Sequence, residues 1–372
     1  MTTAFLTDER TFWHTTGLQA LVLPIGDWVQ PPNGAVAAET PDSKRRFLSL
    51  AAVSGILEKL SVSSAPSATL EDLLRVHDAG YLQKFREVSD AGGGEVGDYA
   101  PFGKGSFEIA KLSAGLAIEA VDRVLTGKAR NAYALCRPPG HHCLADRGMG
   151  FCLLANIPIA IEAARSRHGV KRVAVVDWDV HHGNGTQSIY YECGDTLTIS
   201  LHQENCFPPG YSGGEERGAG AGAGANLNIS LPPGCGDRAY RAAVDEIVIP
   251  ALEAFQPELL IVANGMDAGA ADPLARMLLH SETYRYMTSR MVEAAGKLCD
   301  DRLVIVHEGG YSEASVPFFG LAILEALSGE RTPVEDPTFG LFDAQQPTSR
   351  TLEFQLACVR EIAAAWKASR SA

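Results

Sequence analysis

The sequence predicts an α/β protein with a central, mostly parallel sheet covered by helices on both faces. Two observations carry this. Short apolar, β-branched runs alternate with helix-length stretches, which is the order that parallel strands and their crossovers require. Residues suited to chemistry also gather directly after those runs, and open α/β sheets take ligands beyond the carboxyl ends of their strands.

The strand-like runs are 132–136, 173–176, 196–201, 226–231, 258–263 and 302–307. Helix-like stretches fall near 43–60, 106–126, 156–168, 238–255, 281–299 and 349–369. No linker and no solenoid-length repeat interrupts them, so residues 1–372 read as a single domain. Residues 217–225, Arg-Gly-Ala-Gly-Ala-Gly-Ala-Gly-Ala, look like a phosphate loop. A phosphate loop should open a helix, however, and strand-like Asn226-Leu227-Asn228-Ile229-Ser230 follows, so a flexible surface loop is the expectation. The stretch 11–40, with Phe12, Trp13 and Trp28 among prolines and glycines, reads as a long ordered loop. Its aromatics serve either as core plugs or as a subunit contact.

Composition narrows the function. A chain 46% hydrophobic and 21% charged is ordinary for a soluble globular protein. No run of eighteen apolar residues offers a membrane helix, and the N-terminus has no basic region of a signal peptide. Eight cysteines without a C-x-x-C pair fit reduced thiols in a cytoplasm better than a zinc ribbon. A net charge of −13 argues against nucleic acid as a direct partner and is compatible with a cationic substrate.

The most informative segment is Asp177-Trp178-Asp179-Val180-His181-His182-Gly183-Asn184-Gly185, directly after Val173-Ala174-Val175-Val176. Side chains alternate along a strand, so Asp177, Asp179 and His181 project to one side as the chain leaves the sheet. Two carboxylates and an imidazole this close are most simply held together by a divalent metal. A second strand end supplies a third ligand, Asp267, after Asn264-Gly265-Met266. A third ends in His307-Glu308-Gly309-Gly310-Tyr311, where paired glycines let the backbone turn and bring Tyr311 back over the site. A fourth leads through the rigid turn Arg137-Pro138-Pro139-Gly140 to the tandem pair His141-His142. Each feature alone has a bland explanation: Asp267 as a helix cap, the histidines as unrelated residues, Gly-Gly-Tyr as a turn. Four of them at four strand ends point to one shared site.

Together these stretches resemble the zinc-dependent histone deacetylase family. The likeness is to its class II-like bacterial branch, the histone-deacetylase-like amidohydrolases, with acetylpolyamine amidohydrolases as neighbours. Further matching stretches are Val76 to Leu82, Gly148-Met149-Gly150-Phe151-Cys152, Ile199-Ser200-Leu201-His202 and Asp272-Pro273-Leu274, in the family's order. The resemblance covers about 40–330. It implies an arginase/deacetylase-like fold with about eight strands, and one zinc ion bound by Asp179, His181 and Asp267. It implies His141 and His142 as catalytic histidines, Asp177 behind His141, and Tyr311 as the residue that meets the transition state. Phe151 and Phe207 match the walls of an acyl-lysine tunnel, with Gly150 nearby and Asp98, in the loop 91–105, as a rim residue that orients substrate. Asp177, Asp179, His181, Ser200 and Leu201 match a potassium site built largely of carbonyls, and Tyr190, Cys193 and Thr196 a second. Two departures stand out. Ala263-Asn264-Gly265-Met266 replaces a common Ser-Ala-Gly-Phe, and Asn184 stands where some relatives have aspartate.

The expected function is removal of an acyl group from the terminal nitrogen of an acyl-lysine-like small molecule or peptide by metal-activated water, with self-association of the chain left open. Acetylpolyamine hydrolysis shares every catalytic residue and is the nearest alternative. An acyl-lysine-binding pseudo-enzyme is disfavoured by the presence of His141, His142 and Tyr311. A two-metal manganese hydrolase of the arginase type would need a different ligand set.

Overall fold

The computed structural model describes residues 2–17, 19–24, 29 and 37–369. Trp28 lies outside them. Eight strands form one sheet: β1 (Ala4–Leu6), β2 (Ser61–Ser63), β3 (Asn131–Ala134), β4 (Val173–Asp177), β5 (Thr196–Gln203), β6 (Asn226–Leu231), β7 (Leu259–Asn264) and β8 (Leu303–His307). Their spatial order is β6-β5-β4-β7-β8-β3-β1-β2, and every neighbouring pair is parallel. This is the α/β, arginase/deacetylase-like architecture the sequence predicts. All six strand-like runs are strands, displaced by a residue or two at their ends. Missing from the sequence reading are β1 and β2, each only three residues long and too short to carry a periodicity.

Side chains on successive strand residues feed two separate cores. Phe5, Tyr133, Val176, Val262 and Ile305 pack on one face with residues of helices Asp42–Val53, Ser281–Leu298, Val316–Ser328 and Ser349–Ser369. Leu6, Ala134, Val175, Ile261 and Val304 pack on the other, with helices Ala79–Ala91, Ser106–Leu125 and Asn156–His168. Both faces of the sheet are therefore covered, which explains why its strands read as unbroken apolar runs. Helix Val316–Ser328 shows no apolar stripe because it is buried nearly all round. Its Gly320 approaches the Phe47 ring so closely that an added Cβ would lie 2.5 Å from it.

Local departures have local causes. The 43–60 stretch stops at Val53 because Gly55 takes a left-handed φ of 81°, after which one 3-10 turn, Ile56–Lys59, completes it. The 217–225 loop does not hang free. Ala219 N donates to Tyr191 O at 2.8 Å, and a Cβ on Gly222 would strike Tyr191 O and Cys193 N, so its glycines permit close packing. In the 11–40 stretch Phe12 is a core residue, whereas Trp13 is 74% exposed.

The connectivity fixes where a site can form. From β4 the chain moves outward through β5 and β6, then returns to the other flank of β4 as β7 and continues outward to β8. The crevice between β4 and β7 is the switch point of the sheet, the place where such folds bind ligands. A buried ion-pair cluster secures the approach to it. Arg137 donates from Nε and Nη2 to Glu39 Oε1 and Oε2 at 2.9 and 2.8 Å, and from Nη1 to the carbonyls of Thr11 and His14 at 3.1 and 2.7 Å. Lys44 Nζ lies 3.4 Å from Glu39 Oε1. All three charged groups are buried.

Burial raises the Glu39 pKa, but Arg137 and Lys44 outweigh it and hold the carboxyl down at about 2. A depressed carboxyl pKa adds stability above its unfolded value, near 4.5, and that contribution fades as pH falls toward about 2. Glu39→Gln leaves two buried cations short of a partner and should cost about 3–5 kcal/mol in urea unfolding at pH 7. A loss under about 1 kcal/mol would mean that the cluster carries no net weight.

Candidate metal and catalytic site

Asp177 is the last residue of β4 and pairs laterally with Ser200 of β5 and Ala263 of β7. The next residues turn over the strand end. There Asp179 and His181 meet Asp267, which follows β7. His181 Nδ1 is 3.0 Å from Asp179 Oδ1 and 3.1 Å from Asp267 Oδ2, and one donor atom from each of the three lies within 4.8 Å of the others.

Backbone amides hold the carboxylates in place. Val180 N donates to Asp267 Oδ1 at 2.9 Å, and Gly309 N, just past β8, donates to Asp179 Oδ2 at 2.9 Å. Space at the site depends on missing side chains. A Cβ on Gly265 would fall on Asp179 Oδ2, and one on Gly309 would fall on Asp267 Oδ2. That is why glycine stands at both positions. Asp267 Oδ2 is buried and, among the described residues, has no hydrogen-bond partner, although the His181 Nδ1 lies 3.1 Å away. An orphaned anionic oxygen beside another carboxylate and an imidazole is a donor set that fits a divalent cation. Burial opposes charge on His181, yet its bond to Asp179 and the adjacent Asp267 carboxylate hold its pKa well above the ordinary value. A metal bound here competes with that proton.

The tandem histidines stand beside this cluster, their ring centroids 3.9 Å apart. Glu308 fixes their loop: its Oε2 accepts from Gly140 N at 2.6 Å and His141 N at 3.1 Å. The two rings have opposite electrostatic surroundings. His141 Nδ1 lies 2.9 Å from Asp177 Oδ2. Burial lowers its pKa, but Asp179 and Asp177 raise it more strongly, to about 10. Burial raises the Asp177 pKa, while the two carboxylates beside His141 favour the charged form of its ring. His142 Nδ1 meets the neutral Asn184 Oδ1 at 2.8 Å. Burial, then the charges on His141 and His181, drive its pKa well below the ordinary value. Asn184 accepts the Nδ1 hydrogen, which leaves Nε2 as a free acceptor.

Tyr311 arrives where the Gly309-Gly310 turn predicts. Gly310 has a φ of 122°, its carbonyl accepts from Ser43 Oγ at 2.8 Å, and Tyr311 N donates to Asp272 Oδ2 at 2.8 Å. Burial and the carboxylates of Asp267 and Asp179 keep the phenol protonated, so its O–H is available to donate. A cavity of about 320 Å³ leads to these groups, lined by His142, His181, Tyr311, Phe151, Phe207 and Leu274 among others. Gly150 also lines it, and a Cβ there would sit 2.5 Å from the His142 ring and 2.7 Å from Phe207. Asp98 lies outside this lining: its side chain is 56% exposed and 3.8 Å from Arg147 Nε. Its carbonyl accepts from Gly150 N at 3.0 Å, which ties it to the cavity wall.

The expected potassium ligands are neighbours. Asp177 and Ser200 share a register, Leu201 follows, and Gly183 N donates to Ser200 Oγ at 3.4 Å. At the second expected position, the Arg165 guanidinium already lies 2.6 Å from Thr196 Oγ1. The Asn264 departure also has an explanation. Its amide accepts from Trp178 Nε1 at 2.7 Å and donates to Tyr133 Oη at 3.1 Å, bracing the strand ends beneath the ligands. Sequence reading gave no role to Glu308, Asp272 or Glu39. Glu308 and Asp272 stood inside matched stretches, whereas nothing local marked Glu39.

A histone deacetylase domain matches residues 37–327. The chain is 59% identical over 362 residues to a histone deacetylase-like amidohydrolase of Pseudomonas aeruginosa, covering 97% of this chain and 95% of that one. It is 40% identical over 274 residues to a probable deacetylase of Archaeoglobus fulgidus, covering 73% and 75%. The solved HD domain of HDA15 superposes with a TM-score of 0.83 at 30% identity, covering 100% of this chain and 97% of the other.

If Asp179, His181 and Asp267 form one metal site, the purified protein should bind one equivalent of Zn²⁺, and Asp267→Ala should lose most of it. Undiminished zinc content in that variant would remove Asp267 from the ligand set.

Proposed function

This chain belongs to the histone deacetylase domain family and is a hydrolase of that family, and we propose that it is a zinc-dependent amidohydrolase that removes acetyl or related acyl groups from the terminal nitrogen of acyl-lysine-like substrates. The observation that carries the proposal is the convergence, in one buried crevice, of a three-donor cluster with an orphaned carboxylate oxygen, one charged and one neutral histidine and a protonated tyrosine. A binding module would need no such division between a neutral and a charged imidazole.

Asp179, His181 and Asp267 would hold the ion; bound there, it supplies the positive charge that makes water a better nucleophile and polarises the acyl carbonyl. The chain's own residues do the rest. His142, neutral and open at Nε2, accepts a proton from the attacking water. His141, held charged by Asp177, favours the negative charge that develops on the acyl oxygen. Tyr311 donates its O–H to the same oxygen. As the tetrahedral intermediate collapses, the C–N bond breaks and the departing amine takes up the proton that His142 had accepted, leaving acetate and restoring the neutral imidazole. The apolar walls, Phe151 and Phe207 chief among them, hold an aliphatic stem and exclude bulk water.

A potassium ion held by Asp177, Ser200 and Leu201, with the carbonyls of Asp179 and His181, belongs to the same proposal. It would brace the strand end that carries Asp177. Free thiols at all eight cysteines fit action in a reducing compartment such as the cytoplasm. No helix among the described residues is long and apolar enough to cross a membrane.

Tyr311→Phe should still bind hydroxamates but lose about 10²–10³-fold in kcat on acetyl-lysine peptides, the usual effect of removing one oxyanion donor. Near-normal kcat would place the phenol away from the reacting carbonyl.

The histidines differ in a way that pH can read. A base whose pKa is depressed is competent down to low pH, so the acid limb of kcat/KM should lie below the ordinary histidine value. His142→Ala should abolish turnover more completely than His141→Ala, with zinc retained in both. An unchanged acid limb in His142→Ala would rule this residue out as the base.

A further inference from the structure

The wall of the cavity carries a polar group that the mechanism does not use. Residues Gln19–Ala20 and Leu23–Pro24 form a small antiparallel hairpin, and Gln19, Val22 and Leu23 line the same cavity as Tyr311 and Phe151. Gln19 is 5% exposed, yet its Oε1 has no hydrogen-bond partner among the described residues. A buried amide oxygen left unmet is unfavourable, and native structures rarely tolerate one without a role.

The hairpin is held firmly in place against the cavity. Ala38 N donates to Leu21 O at 2.9 Å, Gly103 N to Thr15 O at 3.0 Å, and Thr16 Oγ1 to the carbonyl of Glu39 at 3.1 Å. The Glu39–Arg137 pair therefore anchors one end of the segment that presents Gln19.

What Gln19 faces can be narrowed by charge. Among the described residues, the cavity lining contains no carboxylate, lysine or arginine; apart from the histidines, Tyr99 and Tyr311, it is formed by apolar side chains, Cys206, Gly150 and Gln19 itself. The nearby acid, Asp98, lies outside the lining and already faces Arg147 at 3.8 Å. Against these described lining residues a second ammonium on a substrate would meet a neutral amide and apolar walls without a counter-charge, so its desolvation would go uncompensated there.

We propose that Gln19 is a specificity-determining residue that hydrogen-bonds a neutral amide or hydroxyl on the stem of the substrate, selecting uncharged acyl-lysine-like chains over acetylated polyamines. The proposal rests on the acyl-amine reading of the site and names which branch of that substrate class the cavity takes.

The test uses three N-acetylated amines with one common stem, ending in an alkyl, a carboxamide or an ammonium cap. Their binding to the Tyr311→Phe protein is measured by calorimetry, and their KM and kcat on the otherwise unaltered enzyme. With Gln19 in place the carboxamide cap should bind tightest and the ammonium cap weakest. Gln19→Leu should weaken the carboxamide ligand about 3- to 10-fold, the effect of one neutral hydrogen bond, through KM with kcat little changed. The alkyl ligand should not weaken. Gln19→Glu, nearly isosteric, should shift preference toward the ammonium cap. A purely structural Gln19 would move all three ligands by one common factor, and that result overturns the proposal. Tightest binding of the ammonium cap by the unaltered residue overturns it as well. Selective binding without turnover by the otherwise unaltered enzyme would sink the hydrolase reading and leave the role of Gln19 standing, whereas failure of all three to bind would overturn both.

Discussion

The structure is organised around a concentration of buried negative charge. Asp177, Asp179, Asp267, Asp272 and Glu308 are all buried at one end of the parallel sheet. Carboxylates in a low-dielectric interior are unfavourable unless something compensates them. Three kinds of compensation are visible. Amides just past the strand ends donate to Asp179, Asp267, Asp272 and Glu308. The ring of His141 is held in its charged form, and His181 holds a proton that a bound metal would displace. Glu308 and Asp272 have pKa values pushed up by burial to about 8, which favours their neutral forms. What is left over is the unpartnered Asp267 oxygen. A dication is the remaining complement, and the proposed zinc site follows from that deficit.

The same arithmetic separates the two histidines. Adjacent in sequence and nearly stacked, they differ by what stands behind each Nδ1. A carboxylate makes His141 a cation; an amide leaves His142 neutral, and the charge on His141 then helps to keep it so. Replacing Asn184 by aspartate would weaken this division. The departure visible in sequence thus has a physical consequence: it sharpens the assignment of base and electrostatic partner.

Much of this was legible from residues alone. The six longer strands announced themselves as apolar runs, and Asp179, His181 and Asp267 stood out as polar residues just after strand ends; strand alternation does not carry the first two, because the strand stops at Asp177 and the chain turns there. His141, His142 and Tyr311 were marked by rigid or glycine-rich turns. Other features were hidden for definite reasons. The strands Ala4–Leu6 and Ser61–Ser63 are too short for any period to show. Glu39 meets Arg137 from 98 positions away, and no local pattern encodes such a pairing. Gln19 looks like one more loop glutamine until the fold buries it in the cavity wall. Trp13, by contrast, looked important and is exposed. Local chemistry survives translation into sequence; long-range contact does not.

The central claim is that metal and imidazoles act as one hydrolytic unit. Its most direct measurement is acetate release from an acetyl-lysine peptide by protein stripped with a chelator, then titrated with Zn²⁺. The account predicts negligible release from the stripped protein, with activity rising linearly to a plateau at one equivalent of zinc per chain. Full activity in the stripped protein, or no hydrolysis at any zinc loading, would contradict it.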